Sequence, residues 1–282
     1  MIARSRRWPA GIGSALLAVA ILIWTLAPLY NMVLVAVQDK DDVFSANIWP
    51  PHPTLAGFAV VLTQGYWYLA SFWRQMGNSL FIGVMVALLT LAIGSAASFA
   101  IARLRIRLGW LLTNAALLTY VIPMSFLAIP FYRIMHDYGL ADNPWAVIAV
   151  EVTFATPYAI FIFCQYSASI PRELDEAAHI DGATPGQIYL RIFLPLMAPA
   201  LVAVGTYALL LAWNEYLYAF LLLSSDERLT VPVALGKFLN SDEAQWNYLM
   251  AASIVYALPP LLIYYAFRRY MAAGLTMGGV KG

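Results

Sequence analysis

Long apolar runs alternate with short polar segments along almost the whole chain. A helix needs about 20 mostly apolar residues to cross a bilayer. Six runs reach that length, so the sequence predicts an all-α membrane protein with six transmembrane helices. The predicted spans cover 11–37, 78–102, 108–130, 145–168, 197–223 and 248–267, within a single transmembrane domain over 1–282.

Prolines interrupt several of the predicted spans. Pro123 and Pro130 lie in the third span, Pro157 in the fourth, and the pair Pro259-Pro260 in the sixth. Proline removes a backbone donor and tends to kink a helix, and neighbouring helices must then satisfy the freed carbonyls. We therefore expect bent spans, although the prolines alone indicate no function.

One polar segment, residues 171–195, lies between the fourth and fifth runs. Pro171 is typical of a first helical turn, and Gly182 stands where a helix would end in the left-handed conformation. Thr184 followed by Gln187 three residues later is a capping-box pattern. The segment is therefore predicted to form two short helices.

The first of these helices carries a small apolar face. Leu174, Ala177 and Ala178 recur at spacings of three and four, which places them on one side of a helix. A short helix pair between two spans is marginal by itself and gains stability by docking on something else. The pattern therefore indicates a coupling element that a partner approaches closely.

The composition supports a membrane protein. The chain is 62% hydrophobic and only 11% charged, whereas a soluble domain carries about 25% charged residues. A net charge of +1 gives no indication of a nucleic-acid partner. Cys164 is the only cysteine, which excludes an intramolecular disulfide and any multi-cysteine metal site.

The N-terminus resembles a signal peptide at first sight. Arg4, Arg6 and Arg7 precede an apolar run. That run extends over 11–37, far longer than the roughly 7–15 residues of a signal core, and no small-residue cleavage site closes it. We therefore expect an uncleaved first span.

The basic residues predict the orientation. An even number of spans puts both termini on one side, and lysine and arginine concentrate on the cytoplasmic side of a membrane. One set of connecting segments carries eleven basic residues and the other five, so both termini and residues 171–195 are predicted to be cytoplasmic. The eleven are Arg4, Arg6, Arg7, Arg103, Arg105, Arg107, Arg172, Arg191, Arg268, Arg269 and Lys281; the five are Lys40, Arg74, Arg133, Arg228 and Lys237.

Few ionisable residues fall within the predicted spans. Glu215, next to Asn214, lies midway along the fifth span, and Glu151 lies near the outer end of the fourth. Intramembrane carboxylates are costly and often functional. Glu215 with Asn214 forms a possible polar site, which either makes a hydrogen bond between helices or subunits or lines a translocation path. Glu151 is expected to reach the outer interface.

The outer segment 38–77 is rich in aromatic residues. Tyr66, Trp67, Tyr68, Phe72 and Trp73 follow a proline-rich stretch. Two interpretations remain open, an aromatic belt at the membrane interface or a landing surface for an external partner.

Several kinds of chemistry have no sequence signature in this chain. It contains no phosphate-binding loop, no HExxH zinc pattern and no nucleophile elbow, and its three histidines are scattered. The chain is therefore expected to be non-catalytic and to bind no cofactor or metal. If ATP drives transport, a separate subunit must hydrolyse it.

At residues 176–195 the chain resembles a known family. Glu176-Ala177-Ala178, Gly182, Ile192, Leu194 and Pro195 match the EAA pattern of permease subunits from binding-protein-dependent ABC importers, at every fixed position and spacing. We call residues 171–195 the EAA segment. The resemblance implies a type I importer permease fold, in which this segment forms coupling helices that dock in a cleft of the ATP-binding subunit.

Further similarities point to the maltose-type carbohydrate branch and to its shorter, six-span subunit. They include Asn78-Ser79, residues 102–105, Tyr138-Gly139-Leu140 and residues 212–215, together with the C-terminal tail. The resemblance implies a second permease subunit in a heterodimer, two ATP-binding cassette subunits and an external sugar-binding protein, in a bacterial inner membrane. The sugar site of the maltose system is attributed to the other permease subunit, so no sugar ligand is assigned here.

The resemblance also implies roles for individual residues. Glu176 would anchor the EAA segment in the ATPase cleft, the two alanines would permit close approach, and Gly182 would supply the turn. In the tail, 268–282, Gly274, Gly279 and Lys281 would contact the ATPase dimer. The coupling residues are then Glu176, Ala177, Ala178, Asp181, Gly182, Ala183, Ile192, Leu194 and Pro195.

The sequence favours alternating access powered by a separate ATPase, with carbohydrate as cargo. A permease for polyamine, phosphate or peptide would share the EAA pattern. A secondary transporter would need more buried carboxylates and repeat symmetry, which the sequence does not show. An integral membrane enzyme would need clustered titratable groups, which are also not evident.

Overall fold

The structure is a computed structural model that describes residues 8–45, 47–104, 106–241 and 244–276. Within them the chain is helical and contains no β-strand. Three single 3₁₀ turns, Trp67–Leu69, Thr119–Val121 and Met124–Leu127, and one π-helical turn, Tyr189–Phe193, complement the α-helices. The helices are α1 (Trp8–Ala36), α2 (Ala56–Thr63), α3 (Phe72–Arg103), α4 (Gly109–Leu118), α5 (Ala128–Asp137), α6 (Pro144–Ser167), α7 (Glu173–Ile180), α8 (Pro185–Ile188), α9 (Leu194–Leu196), α10 (Ala198–Trp213), α11 (Leu217–Leu222), α12 (Val231–Leu239) and α13 (Trp246–Thr276).

Four helices are long and apolar enough to cross a membrane. They are Ile12–Ala36, Trp67–Arg103, Pro144–Ser167 and Trp246–Arg268. The number rises to six if each of two sharply bent helix pairs counts as one span. The membrane class is thus confirmed, and the count of six stays a prediction.

The third predicted span is sharply bent, since Gly109–Val121 and Met124–Asp137 meet at 87°. The fifth, 197–223, is divided into α10 and α11. A second bend, of 77° between Pro185–Leu196 and Ala198–Trp213, lies where the fifth predicted span begins. Pro123 accounts for the first break, because it lies at the bend in an extended conformation and cannot donate a helical hydrogen bond. Pro157 lies within α6 and Pro259-Pro260 within α13 without interrupting either helix.

The chain divides into two compact units. The first contains the described residues up to Ala70 together with Lys237–Ala257, and the second contains Ser71–Gly236 and the described residues from Leu258 onward. In the first unit, Gly57 allows close packing, since a Cβ there would stand 3.1 Å from the carbonyl oxygen of Ala36. Asn247 is buried and donates to the carbonyl of Gln38 at 3.2 Å.

Part of the aromatic cluster at residues 66–73 packs inside this first unit. Tyr68 stacks on Phe238 with ring centroids 5.1 Å apart, and Tyr66 contacts both Phe238 and Tyr248 at 5.4 Å. Trp67 stays mostly exposed. The tyrosines therefore serve local packing, and the aromatic-belt and landing-surface interpretations remain predictions for the exposed Trp67.

The second unit is built around α3, which packs mainly on α6 and α10. Small residues permit this close approach, as they do between helices in membranes generally. A Cβ on Gly94 of α3 would lie 2.9 Å from the Cβ of Ala159 in α6. Where α10 packs on α3, a Cβ on Gly205 of α10 would lie 3.0 Å from the side chain of Leu91 in α3.

Two apolar clusters form the core of this unit. One joins α3, α6, α10 and α11 around residues such as Val86, Val150 and Tyr218. The other lies next to the EAA segment and includes Phe99 and Phe163. The second cluster therefore positions the residues that the sequence singled out.

Asp142 ties the turn before α6 to the segment after α11. Its carboxylate accepts hydrogen bonds from the backbone N–H groups of Ser224 and Ser225, at 2.9 and 3.1 Å, and from the Ser225 hydroxyl. The guanidinium of Arg228 pairs with it at 3.6 Å. The φ angle of Asp142 is 53°, a left-handed conformation that Asp tolerates better than most residues.

Candidate functional site

The EAA segment forms the two short helices that the sequence predicts, α7 and α8. Helix α7 begins at Glu173, so Pro171 precedes it rather than occupying its first turn. The side chain of Thr184 accepts from the N–H of Gln187, and the N–H of Thr184 donates to the Gln187 side chain at 2.8 Å, which confirms the capping box.

A glycine-based cap ends α7. The N–H of Gly182 donates to the carbonyl of His179 at 3.0 Å, and the N–H of Ala183 donates to that of Ala178 at 2.9 Å. This pair of bonds is the Schellman motif, in which the residue after the C-cap is left-handed. Gly182 has a φ of 81°, which confirms the left-handed turn expected at this position.

The three residues predicted to share one small apolar face of α7 do not all point the same way. Leu174 and Ala177 are exposed, whereas Ala178 is partly buried against the chain's own core together with Ala183. Ile180 is 88% exposed and extends the outward row. Ala178 therefore packs partly on the chain itself, because α7 turns that side toward the cluster around Phe99, and its role in the close approach of a partner stays a prediction.

The exposed side of the EAA segment is polar except for this row. Glu176, Asp181 and Gly182 are all exposed. Glu173 and Glu176, both exposed, lie in the first turn of α7, where the helix dipole stabilises negative charge. An acidic surface with the apolar row Leu174, Ala177 and Ile180 at its centre can dock in a cleft of a partner.

Neighbours of the predicted residues anchor the C-terminal part of the segment. Ile192 and Leu194 are partly buried and Pro195 is exposed, whereas Ile188, Phe193 and Met197 are buried. The π-helical turn explains this spacing, since it inserts an extra residue between the apolar positions 188 and 193. In the sequence, this turn corresponds to buried apolar residues spaced by five and then by four positions, at 188, 193 and 197.

Two further contacts hold this turn in place. The Tyr189 hydroxyl lies 2.8 Å from the hydroxyl of Ser95 in α3. The ring of Phe99, also in α3, contacts Tyr189 at 5.2 Å and Phe193 at 5.1 Å between centroids. Sequence reasoning missed Ser95, Phe99 and Tyr189, because only the fold brings α3 to the EAA segment.

A cavity of about 230 Å³ lies beneath α7, between α8 and the end of α3. Arg103 and Asp175 pair at its wall, with the Nε and Oδ2 atoms 3.2 Å apart. Polar side chains line much of the rest of this cavity, including those of Arg172, Glu176 and His179. The sequence used Arg103 only to predict orientation and as part of the family resemblance.

Asn214 and Glu215 lie at the break between α10 and α11. Glu215 accepts a hydrogen bond from the N–H of Tyr218 at 2.6 Å and so caps α11, while the Asn214 amide donates to the carbonyl of Leu210 at 2.8 Å. Their local role is to terminate one helix and start the next. A role in lining a translocation path stays a prediction.

Glu151 does not reach the outer interface. It is fully buried in α6, where its carboxyl group lies beside that of Glu215. The expectation from sequence was wrong because α3, α10 and the α10–α11 break cover that face of α6.

The tail residues are only partly within the described structure. Gly274 lies in the last turns of α13, whereas Gly279 and Lys281 lie outside the described residues. Among the residues that the structure describes, no group of three or more histidines, cysteines, aspartates or glutamates could hold a metal ion.

Comparison with known proteins gives a consistent result. The sequence profile of the family described as "binding-protein-dependent transport system inner membrane component" matches residues 90–277. An inner membrane ABC transporter permease protein of Escherichia coli, YcjP, is 33% identical over 93% of this chain and 93% of its own length. The arabinooligosaccharide transport system permease protein AraQ of Halalkalibacterium halodurans is 31% identical over 98% of this chain and 96% of its own length.

A solved structure has a similar fold. A bacterial ABC transporter involved in the import of the acidic polysaccharide alginate superposes with a TM-score of 0.67, covering 95% of this chain and 99% of the matched chain. The two sequences are 17% identical, so this likeness concerns the fold alone.

Proposed function

The chain belongs to the family of binding-protein-dependent transport system inner membrane components, and we propose that it forms half of the translocation path of an ATP-driven carbohydrate importer. The observation that carries the proposal is the EAA segment, with its complete sequence pattern and its exposed row of Leu174, Ala177 and Ile180. Exposed apolar side chains on an otherwise polar segment are typical of a surface that a partner covers.

The names of the relatives support a carbohydrate as cargo. The matched proteins include permeases for arabinooligosaccharides, trehalose and diacetylchitobiose, all of them similar along nearly the whole chain. The alternative cargoes, polyamine, phosphate or peptide, have no comparable support among these relatives.

The proposed assembly contains four kinds of partner. A second permease subunit would complete the path, two ATP-binding cassette subunits would hydrolyse ATP, and an external sugar-binding protein would deliver the cargo; the lipid bilayer surrounds the spans. For a chain with six spans, the excess of basic residues, eleven against five, supports a cytoplasmic position for the EAA segment and both termini. The proposed membrane is the inner membrane of a bacterium. This chain itself would be non-catalytic.

The proposed mechanism is alternating access. ATP binding would close the two ATPase subunits, and α7 and α8 would move with the cleft in which they dock. A rigid-body rotation of the helices would then open the path to the outside, where the binding protein releases sugar. The free energy for this population shift would come from contacts that differ between the two states at the ATPase interface.

Co-purification tests the proposal directly. We expect the tagged chain, extracted in mild detergent from its native membrane, to retain a second permease subunit and an ATPase. Vesicles containing the complex should accumulate sugar only when ATP and the binding protein are both supplied. A chain that purifies alone and moves solute in liposomes without ATP would instead be a secondary transporter.

A matched pair of variants tests the docking surface. Ile180→Asp should weaken ATPase association by at least about tenfold, because buried apolar anchors dominate such interfaces. Ile48→Asp, an isoleucine in the outer segment that is 81% exposed, is the control and should leave association unchanged. Equal association of both variants would remove the EAA segment as the docking site.

A further inference from the structure

Arg103, the last residue of α3, is nearly buried against the EAA segment. Its side chain is 5% exposed, and that of its ion-pair partner Asp175 in α7 is 14% exposed. The Nε atom of Arg103 lies 3.2 Å from the Oδ2 atom of Asp175, which is an ion-pair distance. The N–H group at Nε is not aligned for a hydrogen bond. The pair directly connects the coupling helix to the longest helix of the second unit.

The same guanidinium contacts two other parts of the chain. Its Nη2 atom donates to the carbonyls of Ser167 and Ile170 at 3.4 and 3.1 Å, at the end of α6 and just after it. Its carbon lies 5.9 Å from the ring centroid of Phe193 in the π-helical turn, a distance at which a cation and an aromatic face attract. One side chain therefore joins α3, α6, α7 and the approach to α10.

This arrangement restricts how α7 can move. A mostly buried charge is costly when it loses its partner, so displacing α7 without α3 would take the carboxylate of Asp175 away from Arg103 and leave the guanidinium with only its carbonyl and Phe193 contacts. The hydrogen bonds from Arg103 to the carbonyls of Ser167 and Ile170 also tie the end of α6 to α3 and α7. These contacts favour joint movement of α7 with the α3 and α6 ends over independent movement.

We propose that Arg103 is the positioning residue that transmits displacement of α7 to α3 and α6, through its ion pair with Asp175. The inference rests on the proposed function, because an ATPase must move α7 for the link to act. The guanidinium of Arg103 would thus connect the docking surface to the helix bundle. The apolar packing of Phe99 and Ile188 would not by itself couple movement of α7 to the bundle.

The chemistry requires arginine rather than any cation. The planar guanidinium presents several N–H groups in fixed directions and can contact a carboxylate and two carbonyls together. The ammonium of lysine is a point charge on a flexible stem and does not reproduce that geometry. Arg103→Lys therefore keeps the charge and removes the link.

The test compares variants of the whole importer, with its second permease, ATPase and binding protein, in vesicles. Sugar uptake, ATP hydrolysis and the amount of bound ATPase are measured for wild type, Arg103→Lys, Asp175→Asn and the double variant. The matched control is Arg107→Gln, which removes an exposed arginine beyond the end of α3.

We expect Arg103→Lys and Asp175→Asn to retain the ATPase and to hydrolyse ATP, while sugar taken up per ATP falls by about tenfold. The double variant should lose no more than either single variant, because both changes break the same link. The control should match wild type.

Three results would overturn the inference. The first is wild-type coupling in Arg103→Lys and Asp175→Asn, and the second is additive losses in the double variant. The third is failure of both single variants to assemble, which would make the pair a requirement for folding. A wild-type chain that binds no ATPase would instead refute the proposed function, so the two failures are distinguishable.

Discussion

At the scale of single residues, Asp142 has the best-defined electrostatic environment outside the helices that could span a membrane. Partial burial opposes ionisation, but the hydrogen bonds from Ser225 and Ser224 and the Arg228 guanidinium outweigh it and lower the pKa of Asp142 from 3.8 to about 2. These contacts favour the charged form, so they stabilise the fold wherever the carboxylate is ionised.

Asp142→Asn tests this contribution. A lowered pKa gives stability that is present above the ordinary pKa and is lost as the pH falls from about 4 to about 2. We expect the variant to lose about 1–2 kcal/mol of unfolding free energy at neutral pH. In thermal unfolding in detergent, the difference from wild type should shrink at low pH. Asp41→Asn, at an exposed position after α1, is the control; equal behaviour of the two variants would contradict the prediction.

Gly94 tests the close packing of α3 on α6. Gly94→Ala places a methyl group 2.9 Å from the Cβ of Ala159, which cannot rotate away, so the helices must separate. We expect a loss of about 1–3 kcal/mol in unfolding free energy. Gly77→Ala on the same helix has open space around it and should stabilise by up to about 1 kcal/mol. A Gly94→Ala protein as stable as Gly77→Ala would show that α3 and α6 do not approach so closely.

At the scale of elements, the end of α7 is the most sensitive point of the EAA segment. Gly182→Asp places a side chain at a φ of 81° and adds a negative charge at the C-terminal end of the helix, next to Asp181. Both effects are unfavourable, and together they should displace α7. Sugar uptake in membrane vesicles should fall by about tenfold while the chain remains inserted.

Gly186→Asp is the matched control for Gly182→Asp. Gly186 lies in the first turn of α8, has no close neighbour for a Cβ and shows no left-handed backbone. A negative charge there is favourable to the helix dipole. Uptake should be near that of wild type, and equal loss in both variants would point to a general intolerance of added charge.

At the scale of the whole molecule, the core is unevenly distributed among the apolar helices. In the most apolar 18-residue stretch of α1, this chain buries none of the residues. In the equivalent stretches of the spans that contain α3 and α6, 39% of the residues are buried. Since an exposed apolar helix must be covered, lipid or other subunits of the proposed importer would cover α1. Hydropathy therefore does not distinguish apolar helices that are partly buried from apolar helices that are exposed.

A pair of aromatic substitutions tests this distribution. Phe163→Ala, in the core of the second unit, should lower the unfolding free energy by about 3–5 kcal/mol. Trp24→Ala in α1, a residue that is 83% exposed, should change it by less than about 0.5 kcal/mol. Thermal unfolding of the purified chain in one detergent checks both. Similar losses would mean that α1 packs on the chain after all.

The sequence by itself determined the features that depend on neighbouring residues. Apolar length predicted helices that could span a membrane, because satisfying backbone groups in lipid is a local requirement. The left-handed Gly182 and the Thr184–Gln187 capping box follow from backbone and side-chain chemistry within a few residues. The EAA pattern identified the family for the same reason, since its fixed positions lie within one short segment.

The tertiary structure decided which distant residues meet. Glu151 is buried because other helices cover its face of α6, and Ala178 points inward because α7 lies on a cluster containing Phe99. Arg103 and Asp175 are 72 positions apart, and only the packing of α7 on α3 brings them together. Hydropathy and spacing do not predict such contacts, because their free energy depends on burial by residues remote in the chain.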